Sequence, residues 1–149
     1  MSVNQVLFRL GLGIYALSFF LLATGDPKGG LVGRLRGFEC AYFAVQVPLT
    51  STPFSPDRAD YIPPFMYLST VISGLINPVF VVHAAFASLR RNPRMVGVLK
   101  FTLLSMIPFC WVVLYDLGVY PREGHVFWVI GMLLVLFSSP KQARLRLTR

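Results

Sequence analysis

A chain of 149 residues that is 55% hydrophobic and only 13% charged lies far from a water-soluble domain, in which about a quarter of residues are charged. The formal net charge of +8 does not mark a nucleic-acid-binding protein, because the basic residues flank apolar stretches and line no single soluble face; the expected partner is a lipid bilayer. Two cysteines are too few for a disulfide framework or a cysteine-based metal site.

The first apolar stretch, about 6–24, predicts a membrane-spanning helix with Arg9 one turn inside, snorkelling to the near interface. It lacks the small-x-small cleavage pattern of a signal peptide, since Leu21 stands two before Ala23, and further spans follow, so it reads as a retained anchor. A long connection from Asp26 to Tyr61 comes next. Its middle portion, 37–49, is too apolar for a loop and too short to cross, reaching only ~20 Å as a helix. Glu39 and Gln46, seven apart, share one helical face. The segment predicts an interfacial or partly inserted helix capping one end of the bundle. Ser51 to Pro56 has the composition of an irregular loop.

A second span, about 64–88, is announced by Pro63 and Pro64, which disfavour helix upstream and tolerate it downstream. Ser69, Ser73 and Asn77 recur every four residues and, with Thr70 and Gly74, form a polar and small stripe that faces protein. This stripe predicts a helix-packing face or a ligand contact at Asn77. Pro78 removes the amide hydrogen that the Gly74 carbonyl needs, a defect that Ser73, Asn77 or a neighbouring helix would repair. Arg90 to Pro93 ends the span and opens a tight basic turn into the third, about 95–119, with Lys100 snorkelling near its start. Pro108 lies at matching depth, and Thr102, Ser105 and Asp116 fall on one face of this helix. The fourth span, about 121–139, takes Pro121 as its first residue and is followed by a basic tail, 140–149, suited to anionic headgroups.

Charge fixes the expected orientation. If the first span starts in the cytoplasm, all six acidic residues (Asp26, Glu39, Asp57, Asp60, Asp116, Glu123) fall outside, and nine of the fourteen basic residues (Arg9, Arg90, Arg91, Arg94, Lys100, Lys141, Arg144, Arg146, Arg149) fall inside.

Chemistry is harder to read. Cys40 falls in the outer segment and Cys110 about 13 Å below the outer end of the third span, so both are expected to be free thiols. His83 and His125 are separated by ~25 Å along the spans, which removes a shared metal or haem site. No H-E-x-x-H, G-x-S-x-G, CxxC, Walker or Rossmann spacing occurs, and no cofactor or metal is expected. Asp116, Glu123 and His125, with Arg122 beside them, form the best candidate for an outer polar site.

The expectation is therefore an all-α protein, one integral membrane domain over 1–149. Its four transmembrane helices form an up-down bundle with one short interfacial helix, both termini cytoplasmic, in a bacterial inner membrane. The favoured function is a non-catalytic helix-packing or accessory component of a larger membrane complex or homo-oligomer, using Ser69, Ser73, Gly74, Asn77, Thr102 and Ser105. The alternatives are a binding or transport module for a small amphipathic or lipid-like molecule, and a membrane enzyme at the outer polar site.

Overall fold

A computed structural model describes residues 2–25, 34–51, 53, 58–89 and 92–138. Those residues form five helices, α1 (Val3–Ser18), α2 (Gly37–Thr50), α3 (Pro64–Ser88), α4 (Pro93–Asp116) and α5 (Glu123–Ser138), and two short strands, β1 (Thr24–Gly25) and β2 (Tyr120–Pro121). Two of the helices, α3 and α4, are long and apolar enough to cross a membrane, with mean hydropathy 1.8 and 1.9.

Local chemistry accounts for most boundaries. Ser2 and Gln5 make a capping box for α1, and Pro64 opens α3 at its first position. Asn92 opens α4: its side chain accepts from the amides of Arg94 and Met95, and its φ of 32° is one that asparagine tolerates better than most residues. At the other end of α4, Gly118 adopts φ 66°. The amides of Gly118 and Val119 return to the carbonyls of Tyr115 and Leu114, the Schellman arrangement.

The first span is corrected. The expected helix over 6–24 stops at Ser18, and the rest of that apolar run becomes a strap. Leu22 bridges Arg36, the amides of Ala23 and Thr24 donate to Leu35, and Thr24 and Gly25 pair antiparallel with Pro121 and Tyr120. Arg122 and Gly124 donate to Ala23 and Leu22 from the other side. A backbone leaving a helix must find partners for its polar groups, and a strap bonded on both edges supplies them. Pro121 accordingly lies in β2, and the last helix begins two residues later, at Glu123. The basic residues Arg90, Arg91, Lys141, Arg144, Arg146 and Arg149, together with Asp26 and Asp57, lie outside the described residues.

Two antiparallel pairs build the core: α1 with α5, and α3 with α4. Glycine sets the first. A Cβ on Gly131 would stand 2.5 Å from the Tyr15 amide nitrogen and 2.9 Å from the Gly11 carbonyl, so these backbones approach as only small residues permit. Phe8, Tyr15, Ile76, Phe80, Leu103, Met132 and Val135 fill the space between the pairs, with the Tyr15 and Phe80 rings 4.2 Å apart. At the end remote from the strap, the Lys100 ammonium sits 4.0 Å over the Phe137 ring, joining α4 to α5.

Asn77 marks a common level, because it touches both Tyr15 and Trp128. From that level α1, α3 and α5 extend about 18, 16 and 15 Å to the end remote from the strap, so they finish almost flush. Toward the strap α1 and α5 extend only about 5 and 8 Å, whereas α3 continues for about 20 Å. The strap and α2 occupy the space that the two short helices leave, and a cavity lies beneath them.

Candidate functional site

The cavity has a volume of about 120 Å³ and is walled by α2, α3, α4, α5 and the strap. One face of α2 shapes it. Gly37, Cys40, Ala41 and Ala44 recur at helical spacing and all line the cavity, whereas Phe38, Tyr42, Phe43 and Val45 point outward and are exposed. Large side chains on the inner face would have filled the space; small ones leave it open. The far walls are Thr24, Ser73, Asn77, Cys110, Val113, Leu114, His125 and Trp128.

Asn77 is the polar hub. Its Oδ1 accepts from the Tyr15 hydroxyl and from the Trp128 indole Nε1, both at 2.9 Å, so one side chain ties α1, α3 and α5 together. Indole N–H can only donate, which fixes the oxygen of the amide toward Trp128. Ser69, Thr70 and Ser73 behave differently, each returning its hydroxyl to the carbonyl four residues earlier at 2.8 Å. Of the groups expected to repair the defect at Pro78, the Ser73 hydroxyl donates to Ser69 and the Asn77 oxygen accepts from Tyr15 and Trp128. Gly74 instead lies against α2, where an added Cβ would meet the Ala44 carbonyl oxygen at 2.5 Å.

Thr102 and Ser105 do not join this stripe: both are exposed, and the Ser105 hydroxyl donates to the Thr102 carbonyl. Nor do Asp116, Glu123 and His125 come together. Asp116 is exposed, and Glu123 pairs with Arg122 at 3.0 Å on the surface, which holds the Arg122 guanidinium above its usual range. Glu39 accepts from the Arg36 amide as part of the α2 start, and Asp60 pairs with Arg58. His125 turns inward, its ring 5.3 Å from each of Trp111 and Trp128, with Nε2 buried and without a hydrogen-bond partner. His83, fully buried, lies in the other half of the bundle beside Lys100 and is hydrogen-bonded to the Val96 backbone.

The placement of the cysteines differs from the expectation most. Cys40 and Cys110 are both free, yet they line the same cavity and do not occupy separate levels. Helix α2 dips to the depth of Gly74, bringing its thiol down beside Thr24, while Cys110 lies beside Ser73. Burial, and secondarily the Glu39 carboxylate, push the Cys40 thiol up to about 11. That lowers the share of thiolate at neutral pH. Among the described residues no group of three or more His, Cys, Asp or Glu side chains is placed to hold a metal ion. The described lining residues can therefore enclose and hydrogen-bond a small molecule.

Comparison with family models, curated proteins and solved structures found no match to this chain.

Proposed function

We propose that this protein is a four-span membrane protein that binds a small amphipathic, lipid-like molecule in the cavity beneath α2. One observation carries the reading: a cavity of about 120 Å³, mostly apolar, whose lining includes His125, a residue with a buried imidazole nitrogen that has no hydrogen-bond partner. Buried polar atoms without partners are rare in folded proteins, and a ligand is a common reason for one.

Membrane residence is supported by what the outer surface presents. Val3, Val6, Leu10 and Leu17 of α1, and Val126, Phe127, Ile130 and Phe137 of α5, are exposed, as a bilayer but not water would favour. These helices are about 24 Å long, which suits spanning with slight local thinning of a ~30 Å hydrocarbon layer. The distribution of Lys and Arg supports cytoplasmic termini.

Purification in mild detergent followed by mass spectrometry of extracted small molecules tests the binding reading. A stoichiometric amphipathic compound is expected; recovery of bulk phospholipid alone from several preparations would count against it. Labelling of cysteines introduced at each terminus in intact cells tests the orientation.

A second reading, an accessory component of a larger membrane assembly, draws on a different surface. The outward face of α1 carries an apolar groove along Val6, Leu10, Gly13, Ile14 and Leu17, and nothing lies within 4 Å of a Cβ placed on Gly13. A transmembrane helix of a partner or a second copy would fit there. Crosslinking from position 13 that captured no protein would remove it.

A further inference from the structure

The cavity combines features that together specify a ligand more narrowly than size does, and the inference below rests on the binding reading above. Its volume of about 120 Å³ is near the ~150 Å³ that accommodates a benzene ring in an apolar protein cavity. One six-membered ring fits; a bulky headgroup does not. Trp128 and His125 line it, their rings tilted 33° to one another at 5.3 Å, and Trp111 closes edge-on against His125. Such a wall favours a flat aromatic guest.

Two polar side chains, Asn77 and His125, lie among the lining residues. Because Asn77 Oδ1 is occupied by Tyr15 and Trp128, its Nδ2 donors are the part of the amide that those two bonds leave over. His125 Nε2, buried and unpartnered, accepts a hydrogen bond when the proton of the neutral ring is on Nδ1. A site offering one donor and one acceptor matches a hydroxyl, which both accepts and donates. A carboxylate would find no cation among the lining residues, and a carbonyl would leave the imidazole acceptor unmet. Several lining residues, among them Ala44, Val113 and Leu114, are half-buried, so the space communicates with the exterior, where a tail could extend.

We propose that the cavity binds the hydroxyl-bearing aromatic ring of a membrane-soluble phenol, its hydroxyl donating to His125 and accepting from Asn77 while an alkyl tail leaves toward the lipid.

Intrinsic fluorescence provides the test, because the chain has two tryptophans and both flank His125. Detergent-solubilised protein, excited where tyrosine does not absorb, is titrated with para-decylphenol, decylbenzene or undecanol. A saturable change with the phenol, at a concentration about tenfold lower than either other compound requires, is expected from its paired hydrogen bonds and its ring. His125→Phe should bring the phenol down to the level of decylbenzene, and His125→Gln should recover part of the difference. Equal binding of phenol and decylbenzene overturns the hydroxyl assignment while the binding reading stands. Equal binding of phenol and undecanol overturns the ring. No saturable change with any of the three overturns both readings. The wild-type comparison decides the matter even if a variant fails to fold.

Discussion

The carbonyl oxygen of Ala44 occupies the place that a side chain on Gly74 would need, 2.5 Å from an added Cβ. Pro48 lies inside α2 and lacks the amide hydrogen that would engage that carbonyl, so the oxygen is free to rest on the bare Cα of Gly74. One proline and one glycine, 26 positions apart, thus set how deeply α2 sinks into the bundle. That depth in turn defines the roof of the cavity.

Gly74→Ala should therefore destabilise the fold, by about 1–3 kcal/mol, because its Cβ meets backbone and not a flexible side chain. Gly97→Ala is the matched control: nothing lies within 4 Å of a Cβ there, and a helix interior gains about 0.5–1 kcal/mol from the exchange. Thermal unfolding in detergent should place the two variants on opposite sides of wild type. Coincident transitions would show that α2 does not pack on Gly74.

Asn77→Leu removes the acceptor shared by Tyr15 and Trp128 and leaves a hydroxyl and an indole N–H unpaired. A loss of about 1–3 kcal/mol is expected, toward the lower end if lipid surrounds the bundle. A double-mutant cycle with Tyr15→Phe should show coupling, with the pair costing less than the sum of the singles. Strict additivity would mean that the three helices are not joined through this amide.

How much of this was legible beforehand depended on whether a local signal existed. Pro63 and Pro64 announce α3, and its expected bounds, 64–88, coincide with the helix; the segment 37–49 likewise matches α2 to one residue. The end of α1 was not legible, because Leu21, Leu22 and Ala23 are as compatible with a buried strap as with another helical turn. Only the partners of their backbone, residues 35–37 and 120–124, decide it. The cavity was hidden for a related reason. Depth counted along straight spans put Cys40 and Cys110 apart, and the α2 face read as amphipathic was the one bearing Glu39 and Gln46. The small face, Gly37, Cys40, Ala41 and Ala44, was the available signal. Sequence proximity gives His125 carboxylate neighbours, whereas the helix turns it toward Trp111 and Trp128.

The thiol of Cys40 supplies a pH-dependent readout of the buried α2 face. With burial first and the Glu39 charge second raising it to about 11, the reactive thiolate at neutral pH is roughly a hundredfold scarcer than for a free thiol. In a Cys110→Ala background, maleimide labelling in detergent should be slow at pH 7.5 and should still be accelerating above pH 10. Glu39→Gln should increase the neutral-pH rate modestly, since it removes the smaller of the two causes. A rate that levels off near pH 9 would mean that this face of α2 is solvated.

Ala41→Leu tests whether the cavity is space kept for a ligand or a packing defect. Ala41 lies on the small face of α2 and lines the void directly, so a leucine there has room to enter without displacing backbone. Filling an apolar void commonly stabilises a protein, here by up to ~1–2 kcal/mol, while removing the space a guest needs. The expected result is an unchanged or raised unfolding temperature together with loss of both the co-purifying compound and the tryptophan response to para-decylphenol. If the leucine variant unfolds earlier yet still responds to the phenol, the guest occupies another place. Retention of stability and of binding would likewise move the site away from α2, since no ring and leucine side chain fit together in about 120 Å³.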